Sequence, residues 1–533
     1  MARTPLLRAL RQTFRERRLK TTDDTHTIHR RDFLRYAALG ASALALPPSL
    51  FGQTPPRIVI VGAGIAGLTC ALELRQHGIR ASIYEVSNRV GGRMFSNLSG
   101  YWSENQISEW GGELIDTEHK TIHALARRFK LRLENLIDAQ PKGSEETYRF
   151  FDRYYAKRTA DRDFVAMSAA LHADTKAAPI PETFEELTEA ARTLDRMSVH
   201  AWIESRVPGG HRSPLGQLLD VAYTIEYGAD TNEQSALNLV YMLGSQPDKT
   251  GQTLSLLGES DERFHIRGGN EQLPKAIAAH LDNDTLQFNM ALTGLRKRAS
   301  GAYRLQFDNK GAVHSVEADF VVLALPFAVL RNVDLTQAEF DERKMDAIRE
   351  QGMARNAKMQ LQFRERPWRQ SGPWPGRGNG TSYADTGYQS SWEVTRAQPG
   401  TGGILNFFLG GTAAASLNAP SPFATARQRS VFSDAERLLS SAEKVFPGLS
   451  PRWNHKATLS LWQLHPWVRG SYSFYRVGQY ARFFGYEKAR QGNVLFCGEH
   501  TSTNFQGFME GGASEGFRAA AELLQLLPSW KAP

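Results

Sequence analysis

Residues 57–85 carry the pattern that most narrows what this chain can fold into. Arg57-Ile58-Val59-Ile60-Val61 is a short β-branched run, suited to a strand buried on both faces. Gly62-Ala63-Gly64-Ile65-Ala66-Gly67 follows at once. Leu68 to Gln76 then predicts a helix closed by Gly78, and Ala81-Ser82-Ile83-Tyr84 a second strand ending in Glu85. In a unit of this order Gly62 permits a tight turn, Gly64 lets a pyrophosphate approach, and Gly67, beside Ala66, lets helix and strand pack. The helix N-terminus faces the phosphates. Glu85, 18 residues beyond Gly67, can accept hydrogen bonds from a ribose diol, which favours a cofactor without a 2′-phosphate. Cys70, on the same helix, reads as a buried small apolar side chain.

The chain has 533 residues, 41% hydrophobic and 23% charged, enough for about three domain-sized units or two large ones. This composition excludes a disordered tail protein, a collagen-like fibre and a disulfide-stapled miniprotein. Two cysteines, Cys70 and Cys497, are too few for a disulfide framework or a Cys-type zinc site, and no metal is expected. The pI of 9.3 invites a nucleic-acid reading. However, residues 1–46 hold ten Lys/Arg against four acids and account for most of the net charge of +8. The nearly neutral remainder gives no argument for phosphate-backbone binding.

The first fifty residues read as an address. His29-Arg30-Arg31-Asp32-Phe33-Leu34 precedes an apolar run from Tyr36 to Leu46 and then Pro47-Pro48. Such a run is too short to span a bilayer, which takes about 20 residues. A basic segment, a short apolar stretch and small residues near its end (Ala43, Ala45) fit an export signal. The paired arginines make it resemble a twin-arginine signal. That route carries folded proteins and suits one that loads a cofactor first. It implies a twin-arginine translocase as partner, residues 1–50 as the signal segment, and a periplasmic or secreted destination.

After Glu85 comes Val86-Ser87-Asn88-Arg89-Val90-Gly91-Gly92-Arg93. A second glycine pair with an arginine offers further N–H groups and a guanidinium to a pyrophosphate. This run resembles the E-x-x-x-R-x-G-G-R segment of the flavin amine oxidase superfamily, and the resemblance implies FAD. Near the far end, the strand-like Asn493 to Cys497 leads into Gly498-Glu499-His500-Thr501, then Phe505-Gln506-Gly507-Phe508-Met509-Glu510-Gly511-Gly512 and a helix from Ala513 to Leu527. The family has a similar run. By resemblance Gly498, Glu499, Met509 and the start of that helix face the flavin and its ribityl or phosphate region. Between these blocks, His265 to Leu273, a helix from Pro274 to Leu281, a strand-like Leu286 to Leu295 and a buried strand from Phe320 to Pro326 match segments that complete the family's FAD domain. Leu292 stands where the family has its adenine-contacting valine.

The implied fold class is α/β: a Rossmann-like, glutathione-reductase-like FAD-binding domain with a discontinuous α+β substrate-binding domain. The FAD domain is expected from 55–120, 262–330 and 455–533, and the substrate domain from 121–261 and 331–454. The first substrate piece reads as helical (Thr121 to Leu131, Pro181 to Arg196, Leu215 to Met242). The second should supply sheet over 356–410 and helix over 423–445, with Ser371 to Gly380 an exposed loop. No internal repeat is evident.

Lys358, in the alternating run Asn356 to Phe363 and ahead of Pro367-Trp368, matches the family lysine that holds a water at flavin N5. Its bland alternative is a solvated lysine on an edge strand. Trp462, His465-Pro466-Trp467 and Gly470-Ser471-Tyr472-Ser473 resemble the family's W…G-x-Y segment. Tyr472 and Phe508 match the two walls of an amine slot. Ser471 stands where monoamine oxidases carry the cysteine bonded to flavin, which implies non-covalent FAD.

The resemblance implies oxidation of an amine C–N bond. Hydride passes from the α-carbon to flavin N5, the imine hydrolyses to carbonyl plus ammonia or amine, and dioxygen takes the electrons to give hydrogen peroxide. The substrate is expected to be a primary amine, a diamine or polyamine, or an L-amino acid. Venom-type L-amino acid oxidases place an arginine where Leu114 stands, although some bacterial ones resemble the Gly111-Gly112-Glu113-Leu114-Ile115-Asp116 run. Glu226, on the Leu215–Met242 helix, is a candidate to meet a distal substrate ammonium. A homodimer is left open. The competing readings are an L-amino acid oxidase specifically, a desaturase or porphyrinogen-type oxidase of the same fold, and a non-catalytic FAD-binding protein.

Overall fold

The β-branched run forms strand β1 (Ile58–Val61), and all four residues are buried. Helix α1 (Ile65–Gln76) follows, then β2 (Ser82–Tyr84), which pairs with β1 in parallel. Strand β3 (Leu286–Gln287) extends the sheet beyond β2. On the other side β1 pairs with β4 (Phe320–Leu323), and β4 with Val494–Phe496, all in parallel. Three distant stretches of chain thus build one five-stranded parallel sheet. The computed structural model describes residues 55–248, 250–282 and 284–529, so the twin-arginine segment lies outside the described residues. Among the described residues, no helix is long and apolar enough to cross a membrane.

Helix α1 is buried along most of its length because it is covered twice, by the sheet and by the C-terminal helix Met509–Leu526. Two glycines make the second contact possible. A Cβ on Gly516 would meet the Ala66 carbonyl oxygen at 2.3 Å, and one on Gly512 would meet Ile65 Cγ2 at 2.8 Å. Within the first turn, Gly62 has φ +104, and a Cβ on Gly67 would meet the Gly62 carbonyl oxygen at 2.0 Å. Cys70 and Cys497 are buried in this core, and burial pushes the Cys497 thiol up to about 12.

The second unit is built on an eight-stranded sheet. Third from one edge lies β5 (Asn356–Phe363), between Gly403–Gly410 and Trp453–Leu461 and antiparallel to both. All eight β5 residues are buried. Of the helices of the preceding segment, α3 (Pro214–Tyr227) lies against Gly403–Gly410 of this sheet, and α2 (Val199–Arg206) packs on α3. Arg429–Glu443 packs against Trp453–Leu461.

Several boundaries differ from expectation. The segment expected to be helical also supplies Glu145–Phe150 and Arg153–Tyr155, which complete the eight-stranded sheet. The Leu215–Met242 helix breaks at Gly228 (φ +58), where a Cβ would meet Asn356 Oδ1 at 2.1 Å, and resumes as Ala236–Leu243. Phe423–Thr425 is a strand before the Arg429–Glu443 helix. The exposed loop ends early, since Gly378–Ala384 is a strand and Trp374 is buried. Leu286 to Leu295 divides at Asn289 (φ 60) into β3 and Ala291–Lys297, the latter in a separate four-stranded sheet with Asp334–Gln337. The domain limits move accordingly. Lys120–Arg128 packs on the C-terminal helix of the FAD side, Asp334–Gln337 belongs there too, and position 455 falls inside a strand bonded to β5. Pairing across the chain sets these limits, and local composition does not register it.

Candidate active site

A cavity opens between the two units and encloses about 1560 Å³ of empty space, its mouth included. Its lining runs unbroken from the glycine turns of the first unit to the aromatic side chains of the second. One end is walled by Gly62, Gly64, Ala66, Glu85, Gly91 and Gly92. The other holds Lys358, Trp392, Phe408, Tyr472 and Phe508.

The cofactor end suits FAD on its own geometry. Helix α1 starts after Gly64 and the C-terminal helix after Phe508, and neither start has a side-chain cap. Both starts line the cavity. Two sets of orphan N–H groups, with the positive ends of two helix dipoles, therefore converge on one space, as an anionic pyrophosphate and an electron-rich ring require. Glu85 is held by Ala63 N at 2.7 Å and by Ser87 N and Oγ at 2.9 and 2.7 Å, so its carboxylate is fixed at the cavity wall. The two ring nitrogens of buried His500 have no hydrogen-bond partner, and its ring lines the cavity. Burial, above all, pushes this imidazole down to about 3 and keeps it neutral.

Arg93 joins the first block of chain to the last. Its Nη1 donates to Glu499 Oε1 and to the Ser471 carbonyl oxygen, each at 2.8 Å. Glu499 also accepts from Ser473 N, Ser473 Oγ and Gly507 N. Burial alone would raise the Glu499 carboxyl; Arg93 and these donors outweigh it and hold it below its usual range. Arg89 serves the loop itself, with Nη2 donating to the Gly92 carbonyl oxygen at 2.8 Å and its guanidinium 4.0 Å above the Phe95 ring. Met509 lies against Gly112, where a Cβ would meet its Sδ at 2.9 Å.

At the chemical end, Lys358 occupies a central strand and is 8% exposed, which excludes the solvated edge-strand alternative. Its Nζ donates to Glu113 Oε2 at 2.7 Å and to the Gly111 carbonyl oxygen at 2.8 Å. Glu113 Oε1 accepts from Trp392 Nε1 at 2.9 Å. Burial would raise the Glu113 carboxyl, but Lys358 and Trp392 hold it below its usual range, so the pair is an ion pair that is neutral as a whole. The Tyr472 hydroxyl donates to the Ile225 carbonyl oxygen at 2.9 Å, which fixes the ring at the wall. Trp462 Nε1 donates to the Trp110 carbonyl oxygen at 2.8 Å. Ser471 Oγ donates to Asn356 Oδ1 at 2.5 Å.

Of the residues read from the sequence, Gly62, Gly64, Ala66, Glu85, Arg89, Gly91, Gly92, Arg93, Lys358, Trp462, Tyr472, Gly498, Glu499, Phe508 and Met509 all line this cavity. Three stand outside its lining. Gly67 acts one layer back, through its contact with Gly62. Leu292 pairs with Phe307 in the four-stranded sheet. Glu226 departs from the expected contact with a substrate ammonium, since it does not line the cavity. It is 2% exposed within α3, whose burial on nearly every face sets its side chain inside the helical layer, near Tyr223 and Tyr383. Glu113, Trp392, Phe408 and Glu262 were not singled out, yet they line the cavity. Glu113 stands next to Leu114 in the Gly-Gly run; a charged residue beside two glycines was the one local signal. Burial, with Asp116 and Glu113 nearby, pushes the Glu262 carboxyl up to about 7.

Residues 65–524 match the model of the flavin containing amine oxidoreductase family. Among characterised proteins, the chain is 22% identical to nicotine dehydrogenase of Pseudomonas putida, over 88% of each chain. It is 23% identical to polyamine oxidase 1 of Zea mays, over 92% of this chain and 94% of that one. It is 21% identical to an L-amino-acid oxidase of Crotalus adamanteus, over 92% and 90%. Cyclohexylamine oxidase from Brevibacterium oxydans superposes with a TM-score of 0.72 at 20% identity, covering 89% of this chain and all of that one. Putrescine oxidase bound to putrescine does so with a TM-score of 0.72 at 18% identity and the same coverage.

Proposed function

The chain belongs to the flavin containing amine oxidoreductase family, and within its FAD-dependent amine oxidation we propose that it oxidises a small amine with an apolar body, using dioxygen and releasing hydrogen peroxide. FAD, when bound, supplies the hydride acceptor. The chain's own residues bind, orient and exclude water. Tyr472 and Phe508 wall the slot with Trp392 and Phe408, and apolar walls of this kind favour the neutral form of an amine by desolvation. Lys358 holds one hydrogen-bond donor in place at the reacting centre, fixed by Glu113 and the Gly111 carbonyl.

The observation that carries the substrate class is Leu114. It lines the cavity at the position where venom-type L-amino acid oxidases place their arginine. An apolar side chain there cannot pair with an α-carboxylate. A peroxide assay over apolar monoamines, diamines, polyamines and L-amino acids tests this. The expected order is monoamines first; turnover confined to L-amino acids would refute it. Because Ser471 cannot form a thioether, FAD is expected in the supernatant after acid precipitation. Flavin retained on the polypeptide would refute the non-covalent reading.

We further propose export by the twin-arginine route to the periplasm or beyond, supported by Arg30-Arg31 ahead of the apolar run. Changing both to lysine preserves charge and is expected to strand an FAD-loaded protein in the cytoplasm. Normal export of that variant would overturn the proposal.

A further inference from the structure

Away from the flavin cavity, two short elements bring nitrogen and oxygen donors to one point. His200 and Glu204 lie one turn apart on α2, on the same face. The chain then turns through Gly209 and Gly210, both at positive φ (81° and 52°), and this reversal returns His211 over that face. The ligand atoms of His200, Glu204 and His211 all lie within 4.8 Å of one another. Among the described residues, this is the one cluster of three or more His, Cys, Asp or Glu that converges so. None of the three lines the flavin cavity.

The arrangement has more order than a surface ion pair. His211 Nδ1 lies 2.6 Å from Glu204 Oε1, and the His211 backbone N donates to the same oxygen at 3.1 Å. The His200 and His211 rings stack 4.0 Å apart at 20°. The second nitrogen of His211 is held as well, with Nε2 3.2 Å from Asp220 Oδ1 on α3. That carboxylate in turn accepts from Thr231 Oγ1. Both ring nitrogens meet carboxylates here, so a cation at Nδ1 would take the place of the proton shared with Glu204, while Asp220 keeps the ring oriented through Nε2, as carboxylates do for metal-bound histidines.

We propose that His200, Glu204 and His211 bind a first-row divalent transition cation, zinc in the first instance, with Asp220 as the residue that orients His211. Two imidazoles and a carboxylate are borderline ligands suited to zinc. Ligand atoms at about 2.0–2.2 Å from a tetrahedral ion stand roughly 3.4 Å apart. The Glu204–His211 pair therefore opens slightly, and His200 closes in by a rotamer adjustment of an exposed side chain. The ion joins one face of α2 to the turn that precedes α3 and leaves a fourth position to water.

The test uses the full chain loaded with FAD, stripped with a chelator and titrated with zinc chloride by calorimetry. One equivalent is expected to bind. His200→Gln and His211→Gln are each expected to weaken it at least tenfold, and Asp220→Asn by about 10- to 100-fold, as for residues that orient metal-bound histidines. His200 and Glu204 are exposed, so His200→Gln/Glu204→Gln provides a variant that folds. No zinc uptake at micromolar free metal, or uptake unchanged in that double variant, overturns the proposal.

Discussion

Lys358 and Glu113 form a 2.7 Å ion pair between a central sheet strand and the Gly-Gly turn beneath it, and each is nearly buried. A buried pair is vulnerable to the loss of one partner, because the other charge is left without compensation, at about 3–5 kcal/mol. Glu113→Gln and Lys358→Met are each expected to lower stability by an amount in that range. The double variant, which removes both charges, should be more stable than the sum of the two predicts. Denaturant midpoints of the four proteins check this; additive losses would show that the two groups do not depend on one another.

Lys358→Met should keep its FAD, since the residues that would hold its pyrophosphate, at the start of α1 and in the Gly91-Gly92 loop, lie away from β5. If Lys358 places a polar group at the reacting centre, reaction of the reduced enzyme with dioxygen should slow by about 10²–10³, and reduction by amine should change less. Stopped-flow measurement separates the two half-reactions. A wild-type oxidative rate would leave Lys358 a structural role only.

Gly516→Val forces a side chain onto the Ala66 carbonyl, where even a Cβ would stand at 2.3 Å. Helix α1 must then move from the C-terminal helix, at about 1–3 kcal/mol or more. Since both helix starts wall the cofactor end, FAD affinity should fall along with the melting temperature. Retention of wild-type FAD affinity would separate helix packing from cofactor binding.

His500 gives a pH dependence with a defined sign. Its folded pKa is depressed to about 3 from the ordinary 6.5. Between these values the unfolded chain binds the proton and the folded chain does not. Stability is therefore fully present above about 6.5 and is lost as pH falls toward 3, by up to about 1.4 kcal/mol per unit. His500→Gln should flatten the slope of the urea midpoint between pH 6.5 and 4.5. An unchanged slope would assign acid sensitivity to other groups.

How much of this was legible follows the distance over which each feature is decided. The glycine turn, the acid at position 85 and the second glycine pair act within about thirty residues. Their backbone conformations follow from local sterics, and the structure places them at one wall. For Glu226, an acid on a substrate-side helix does not reveal where its side chain lies; α3 is buried on nearly every face, and Glu226 does not line the cavity. The domain limits were misjudged for a related reason, since Trp453–Leu461 looks like any buried strand until its partner in β5 is known.

By itself, then, the sequence determined the glycine turn at the start of α1, its fit to a dinucleotide and the strand that carries Lys358. Those are properties of short segments, set by φ/ψ preference and by period-2 or helical patterning. Only the tertiary structure decided what Lys358 touches. Glu113 lies 245 residues earlier, and no local preference links the two. They meet because β5 takes an interior place in a sheet whose strands come from both halves of the substrate unit, and because the Gly111-Gly112 turn packs closely enough to bring a carboxylate beneath it. Burial then makes the pair persist, since neither charge is stable there without the other.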